Sequence, residues 1–145
     1  MKGRDFLTVA GGLASDSTEA AWRSAISRAY YAAFHAAREL MTDLGFTVPQ
    51  GDSTHAYAWI RLQNCGDPKV RKAGSNLNVL RGQRNRADYD LHLTIRQSHA
   101  ATEVQIANEV LQSLDAAALE PTRTQITDAM KAFERTILKV TTWHP

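Results

Sequence analysis

SAISRAYYAAFHAARELM, residues 24–41, decides the fold of this chain because it indicates one long amphipathic helix. Apolar side chains recur here and on both flanks at spacings of three and four, the period of a helix face. The positions are Trp22, Ile26, Ala29, Ala33, Ala37, Leu40 and Leu44. Asp16, with Glu19 three residues later, is the predicted N-terminal cap, and Gly45 is the predicted C-terminal stop. The pattern therefore predicts about eight helical turns.

The rest of the chain also favours helices. We predict a first helix over about 3–13, a third near 54–64, and a fourth that begins at Asp67-Pro68, where a cap residue precedes a proline that needs no N–H. Thr94 and Gln97 have the spacing of a capping box for a fifth, and a sixth follows Pro121. No segment shows the alternation typical of a strand. The predicted fold class is all-α, a helical bundle.

Composition limits the possible functions. A chain of 145 residues has the size of one domain, and its only cysteine, Cys65, allows no disulfide within the chain. We find neither a signal peptide nor an apolar run of membrane-spanning length, so we expect a cytoplasmic protein without a membrane partner. The net charge is +2, yet residues 61–96 hold eight Lys and Arg against three Asp. This basic segment favours an anionic partner.

Two features of the second helix are typical of reactive sites but are explained without one. The alanines of the second helix allow a neighbouring helix to approach closely, and the aromatic residues at 30, 31 and 34 fill the space beside them. His35 and Glu39 lie one turn apart, but the paired Glu-x-x-His motifs of di-metal bundles are absent. The remaining histidines outside the fourth helix, including His55, show no ligand spacing. We therefore predict no metal site and no cofactor.

The fourth helix contains the strongest functional signal, RGQRNRADYDLH at residues 81–92. On a helical wheel Arg84 interrupts an apolar stripe made by Leu77, Leu80, Ala87 and Leu91. A neighbouring polar stripe comprises Arg81, Asn85, Asp88, Tyr89 and His92. The residues alone leave two interpretations open: Arg84 is held by Asp88 one turn away beside a solvated face, or the stripe is a functional site.

SAISRAYYAAFHAARELM, the following STH at 53–55 and LRGQRNRADYDL at 80–91 resemble the HEPN domain (higher eukaryotes and prokaryotes nucleotide-binding). In particular they are similar to a prokaryotic subfamily of stand-alone HEPN proteins that are often paired with a small nucleotidyltransferase. The resemblance covers about residues 4–118. It implies a HEPN-like up-and-down bundle of four to five helices, with an added C-terminal helix at about 122–140, in a single domain spanning 1–145.

The resemblance also implies a function. Many HEPN proteins are metal-independent endoribonucleases, including toxins of toxin–antitoxin systems, and they commonly act as dimers. Their hallmark is an arginine, often followed by a polar residue, with a histidine after four to six intervening residues. Arg84 and Asn85 match the first pair, but Tyr89 occupies the place of the histidine. Taking Arg86 as the motif arginine instead places five residues between it and His92. The sequence leaves both alignments open.

We therefore expect an endoribonuclease that cleaves RNA through attack by the 2′-hydroxyl. The predicted catalytic residues are Arg84, His92, Tyr89 and Asn85, and the predicted phosphate-binding residues are Arg81, Arg86 and Asp88. Arginine can neutralise the phosphate, and histidine ordinarily titrates near neutral pH, whereas tyrosine, with a pKa of about 10, is a poor base. The expected partners are RNA, a second copy of the chain and a nucleotidyltransferase-type antitoxin. The alternative is a non-catalytic HEPN module that binds a nucleotide, an RNA or a protein.

Overall fold

The computed structural model describes residues 1–145 and confirms the all-α prediction. Its six α-helices are α1 (Asp5–Ala14), α2 (Glu19–Asp43), α3 (Ser53–Gln63), α4 (Pro68–Tyr89), α5 (Gln97–Ala117) and α6 (Thr122–Phe133). The only β-type pairing is an isolated bridge between Phe46 and Trp143. None of these helices combines the length and the hydropathy needed to cross a bilayer.

The helix ends correct two details of the sequence prediction. Thr18, not Asp16, caps α2, because its hydroxyl accepts from the Ala21 N–H at 3.2 Å. Asp16 lies too early, and its carboxylate accepts from the neighbouring Ser17 N–H instead. The capping box predicted for α5 is absent, since Gln97 is already helical and donates to the Ala14 carbonyl at 3.0 Å.

Two other predicted ends are confirmed. Asp67 caps α4 by accepting from the Val70 N–H at 3.0 Å, with Pro68 in the first turn. Gly45 follows α2 with φ +107°, a backbone conformation that favours glycine. However, α4 ends at Tyr89, so the predicted stripe does not continue as a helix to Leu91 and His92.

Helix α2 forms the centre of the bundle and packs against α1, α4 and α5. Its alanines at 25, 29, 32, 33 and 37 are fully buried, as the packing interpretation of this run requires. Helices α3 and α4 are antiparallel and approach closely at Gly74, where an added Cβ would lie 2.8 Å from the Leu62 Cβ. This approach holds the first turn of α3 beside the last turns of α4.

The C-terminal segment is less regular than the single helix predicted for 122–140. Helix α6 ends at Phe133 and continues as a π-helical segment, Glu134–Leu138, before Lys139 turns the chain with φ +59°. The following residues pair with the loop after α2, where the Thr47 N–H donates to the Thr142 carbonyl at 2.8 Å. We call residues 134–144 the C-terminal clasp.

A buried ion pair joins this clasp to α3. Arg61 Nη2 lies 2.7 Å from Glu134 Oε2, and the two side chains are 6% and 2% exposed. Thr142 donates its N–H to the Glu134 carboxylate at 2.9 Å and its hydroxyl to the same group. The Arg61 guanidinium also stacks 3.5 Å from the centre of the Tyr57 ring. The clasp therefore fixes α3, which also packs against α4.

Candidate functional site

Polar and aromatic side chains from α2, α3 and α4 meet on one side of the bundle. Helix α2 presents Ser27 and Tyr31, one turn apart, toward α4, and α3 places His55 in its first turn. Helix α4 supplies Arg84 and Asp88, also one turn apart. Because α2 and α4 are antiparallel, Ser27 lies opposite Asp88 and Tyr31 lies opposite Arg84.

Arg84 is the centre of this cluster and is 17% exposed. Its Nη2 donates to the Tyr31 hydroxyl at 2.7 Å, and its Nη1 donates to Asn85 Oδ1 at 2.9 Å. Its Nε lies 3.0 Å from Asp88 Oδ2, although the N–H does not point at that oxygen. A guanidinium has five N–H groups, so one hydrogen on each terminal nitrogen remains available. The protein orients Arg84 without using all of its donors.

Asp88 is itself held from α2. The Ser27 hydroxyl donates to its Oδ2 at 3.1 Å, which fixes the carboxylate that faces Arg84. The Tyr31 ring contacts two guanidiniums, with Arg84 Cζ at 5.1 Å and Arg28 Cζ at 5.4 Å from its centre. These distances are typical of cation–π contacts. The cluster thus has an excess of positive charge and an aromatic surface.

His55 lies beside these groups. Its Nδ1 is 2.5 Å from the Tyr30 hydroxyl, and its ring centre is 4.7 Å from that of Phe34. Burial, followed by the positive charges of Arg81 and Arg84, lowers the pKa of His55 below its ordinary value. Burial raises the pKa of the Tyr30 hydroxyl, which therefore keeps its proton at neutral pH. His55 is accordingly a neutral imidazole next to two arginines.

The residues that form this cluster lie within a segment that matches a known protein family. The family model for the HEPN domain matches residues 2–117, which include every side chain of the cluster. The chain belongs to the HEPN domain family. Comparison with curated proteins and with solved structures gave no match. HEPN membership indicates a function related to nucleotides or RNA, and the C-terminal clasp lies outside the matched residues.

The structure brings together most of the site residues expected of the HEPN domain. Arg84 contacts both Asn85 and Asp88, and Arg81 lies one turn before Arg84 on the same side of α4. Tyr89 is 72% exposed, with its ring centre 5.6 Å from Arg84 Cζ. The ion pair between Arg84 and Asp88 confirms that the arginine in the apolar stripe has a partner within its own helix.

Two predicted residues do not join the cluster. Arg86 is exposed and lies about 200° around α4 from Arg84, on the other side of the helix. His92 is exposed in the turn after α4 and makes no side-chain contact with Arg84. Arg23 holds this turn by donating to the carbonyls of Ala87 and Asp90 at 2.9 and 3.1 Å. A helical wheel cannot place His92, because its helix has already ended.

Sequence reasoning did not predict the contributions of α2 and α3 to the site. The sequence pattern predicts Tyr31 as a core-packing residue and gives His55 no ligand spacing. Both stand in the runs that resemble the HEPN domain, yet only the antiparallel packing of three helices brings them to Arg84 and Arg81. No spacing within one helix carries that information.

Proposed function

We propose that this HEPN domain protein is a metal-independent endoribonuclease, the toxin of a toxin–antitoxin or phage-defence pair. The observation that carries the proposal is Arg84, which Tyr31, Asn85 and Asp88 orient while two of its N–H groups remain free. A fixed guanidinium with free donors can bind two oxygens of a phosphate in one geometry. Such a group stabilises the charge that develops on the scissile phosphate.

The other predicted residues complete the reaction. The RNA 2′-hydroxyl loses a proton and attacks the phosphate, the bond to the 5′-oxygen breaks, and that oxygen gains a proton. His92 transfers the proton, because histidine is suited to this task near neutral pH. Asn85 has its amide N–H₂ free toward solvent, since its Oδ1 faces Arg84, and Tyr89 offers a hydroxyl. Arg81 binds a neighbouring phosphate beside Arg84, Arg86 binds another from the other side of α4, and Asp88 holds Arg84.

A homodimer resolves the separation of His92 from Arg84. In a two-fold dimer each copy presents the same surface, so the exposed end of α4 in one copy can face Arg84 in the other. Tyr89 and Leu91 are 72% and 75% exposed at this end of α4, which offers an apolar surface for that contact. The proposed site is then composite, and His92 acts across the interface.

RNA cleavage in the presence of EDTA tests the proposal. We expect wild type to produce fragments that end in 2′,3′-cyclic phosphate, and His92→Ala to cleave at least about a hundredfold more slowly. Tyr89→Phe should lose much less activity. His144→Ala changes another exposed histidine and is the matched control. An active His92→Ala protein would remove His92 from the mechanism.

One observation favours a second function, a non-catalytic HEPN module that binds RNA or a nucleotide. Tyr89 stands where the motif histidine is expected, and the only imidazole in the cluster, His55, has Nδ1 bonded to Tyr30. The same assay separates the two functions. Wild type that binds diverse RNAs but leaves them intact, with no antitoxin present, would establish the binding module in place of the enzyme.

A further inference from the structure

The hydrogen bond between Tyr30 and His55 determines which imidazole nitrogen holds the proton. Tyr30 is 1% exposed, and His55 Nδ1 is the one partner of its hydroxyl, at 2.5 Å. A buried hydroxyl without an acceptor would cost free energy, so the phenol donates and Nδ1 accepts. Neutral His55 therefore has its hydrogen on Nε2.

The Nε2–H of His55 is a donor without a protein partner. The imidazole is half-buried, packs against Phe34 on one side, and makes no hydrogen bond through Nε2. Arg81 and Arg84 are close enough for their charges to act on the ring. The imidazole therefore lies near two positive charges, and hydrogen bonds hold both the His55 ring and the Arg84 guanidinium in place. Asp88 and Asp52 are the acidic groups near this region, and Asp88 is already engaged by Arg84 and Ser27.

We propose that His55 is a substrate-binding residue whose Nε2–H donates to a phosphodiester oxygen of RNA, beside Arg81 and Arg84. The inference rests on the proposed function for the identity of the ligand, but it does not require that the RNA be cleaved. Tyr30 is the positioning residue, since its hydroxyl fixes the tautomer and the ring.

The same geometry argues against His55 as the proton-transfer group. A general base must present an unprotonated nitrogen to the reacting hydroxyl, and the unprotonated nitrogen of His55 is turned into the protein toward Tyr30. A proton relay through Tyr30 would leave a buried phenolate, which burial disfavours. His55 can therefore bind an anion at Nε2, whereas proton transfer is assigned to His92.

The test measures binding of a short 2′-O-methyl RNA, which cannot be cleaved, by fluorescence anisotropy at one fixed salt concentration. The variants are His55→Ala, which removes the donor, and His55→Gln, whose amide N–H₂ can replace Nε2–H. His144→Ala is the control. We expect His55→Ala to raise Kd about tenfold, the effect of one hydrogen bond to a charged group, and His55→Gln to recover most of the affinity.

A second readout concerns the tautomer. The ¹⁵N spectrum of the wild-type imidazoles should show His55 protonated at Nε2, and Tyr30→Phe should change this signal while His144 remains as it was. Thermal unfolding of each variant shows whether it is folded. A neutral His55 protonated at Nδ1 in wild type would overturn the proposal.

The binding outcomes are equally decisive. A folded His55→Ala protein that binds RNA like wild type overturns the proposal, and so does a wild type that does not bind this RNA. Unchanged binding with a large fall in kcat that His55→Gln does not restore would identify proton transfer instead of binding. Failure of the proposed ribonuclease activity is distinguishable from failure of this proposal. If wild type never cleaves RNA, His55→Ala can still show the predicted loss of RNA affinity.

Discussion

Arg84→Ala separates a catalytic arginine from a structural one. The substitution removes the hydrogen bond to Tyr31, the cation–π contact with its ring and the ion pair with Asp88. Asp88 keeps the hydrogen bond from Ser27 and is 27% exposed, so no carboxylate is left buried without a partner. A hydrogen bond of about 1 kcal/mol, a cation–π contact of about 0.5 kcal/mol and a partly exposed ion pair of about 0.5 kcal/mol give a loss of about 2 kcal/mol.

Arg61→Ala is the matched control, because Arg61 is also a helical arginine paired with a carboxylate. Its ion pair with Glu134 is buried on both sides, and breaking such a pair costs about 3–5 kcal/mol. Urea unfolding measures both losses, and cleavage of a labelled RNA in EDTA measures activity. We expect Arg84→Ala to be folded but at least about a hundredfold slower, the usual effect of removing a group that stabilises transition-state charge.

Two results would refute this reasoning. A folded Arg84→Ala protein that cleaves RNA as fast as wild type would show that the guanidinium does not act on the phosphate. A loss of stability equal to that of Arg61→Ala would show that Arg84 is mainly a structural residue.

Three further predictions concern the rest of the molecule. Burial raises the pKa of Glu134, but the hydrogen bonds from Thr142 and the contacts of Arg61 outweigh it, so the folded pKa is lowered. The ionised carboxylate stabilises the folded protein above the ordinary glutamate pKa of about 4.3, and this contribution is lost as pH falls through the folded pKa. The free energy of unfolding, measured with urea, should therefore fall more steeply below about pH 4 for wild type than for Glu134→Gln. Gly74→Ala should destabilise by about 1–3 kcal/mol because its Cβ would meet Leu62, whereas Gly82→Ala, in the same helix with open space around it, should stabilise by about 0.5–1 kcal/mol; equal thermal shifts would contradict the close approach. Light scattering at tens of micromolar should show a dimer, and Leu91→Glu at the exposed end of α4 should yield a monomer; a stable wild-type monomer would be incompatible with the composite site.

The helices and their order could be predicted from the sequence because both depend on local patterns. Each signal occupies only a few neighbouring residues, as in the three- and four-residue spacing in α2, the stop at Gly45 and the cap at Asp67. The sequence also offers Asp88 as an ion-pair partner of Arg84, because the two residues lie one turn apart in the same helix. The stripe predicted for α4 extends the helical period past Tyr89 to His92, and that placement is wrong because the helix ends at Tyr89.

The rest of the site depends on contacts between distant segments. His55 reaches the neighbourhood of Arg81 and Arg84 because α3 packs antiparallel to α4, with Gly74 permitting the close approach. Arg61 and Glu134 are 73 residues apart, and nothing near either one marks it as half of a buried pair. Isolated polar residues on predicted helices give no sign of which distant residue they will meet.

The clasp also affects the order in which a newly made chain becomes complete. The ribosome translates Glu134 and Thr142 only after all of the residues matched by the HEPN model. Until then Arg61 has no carboxylate partner, and the α3 helix that presents His55 lacks its outer support. The outer support of α3 is therefore added only after the residues of the HEPN match have been translated, by a segment that the match does not include.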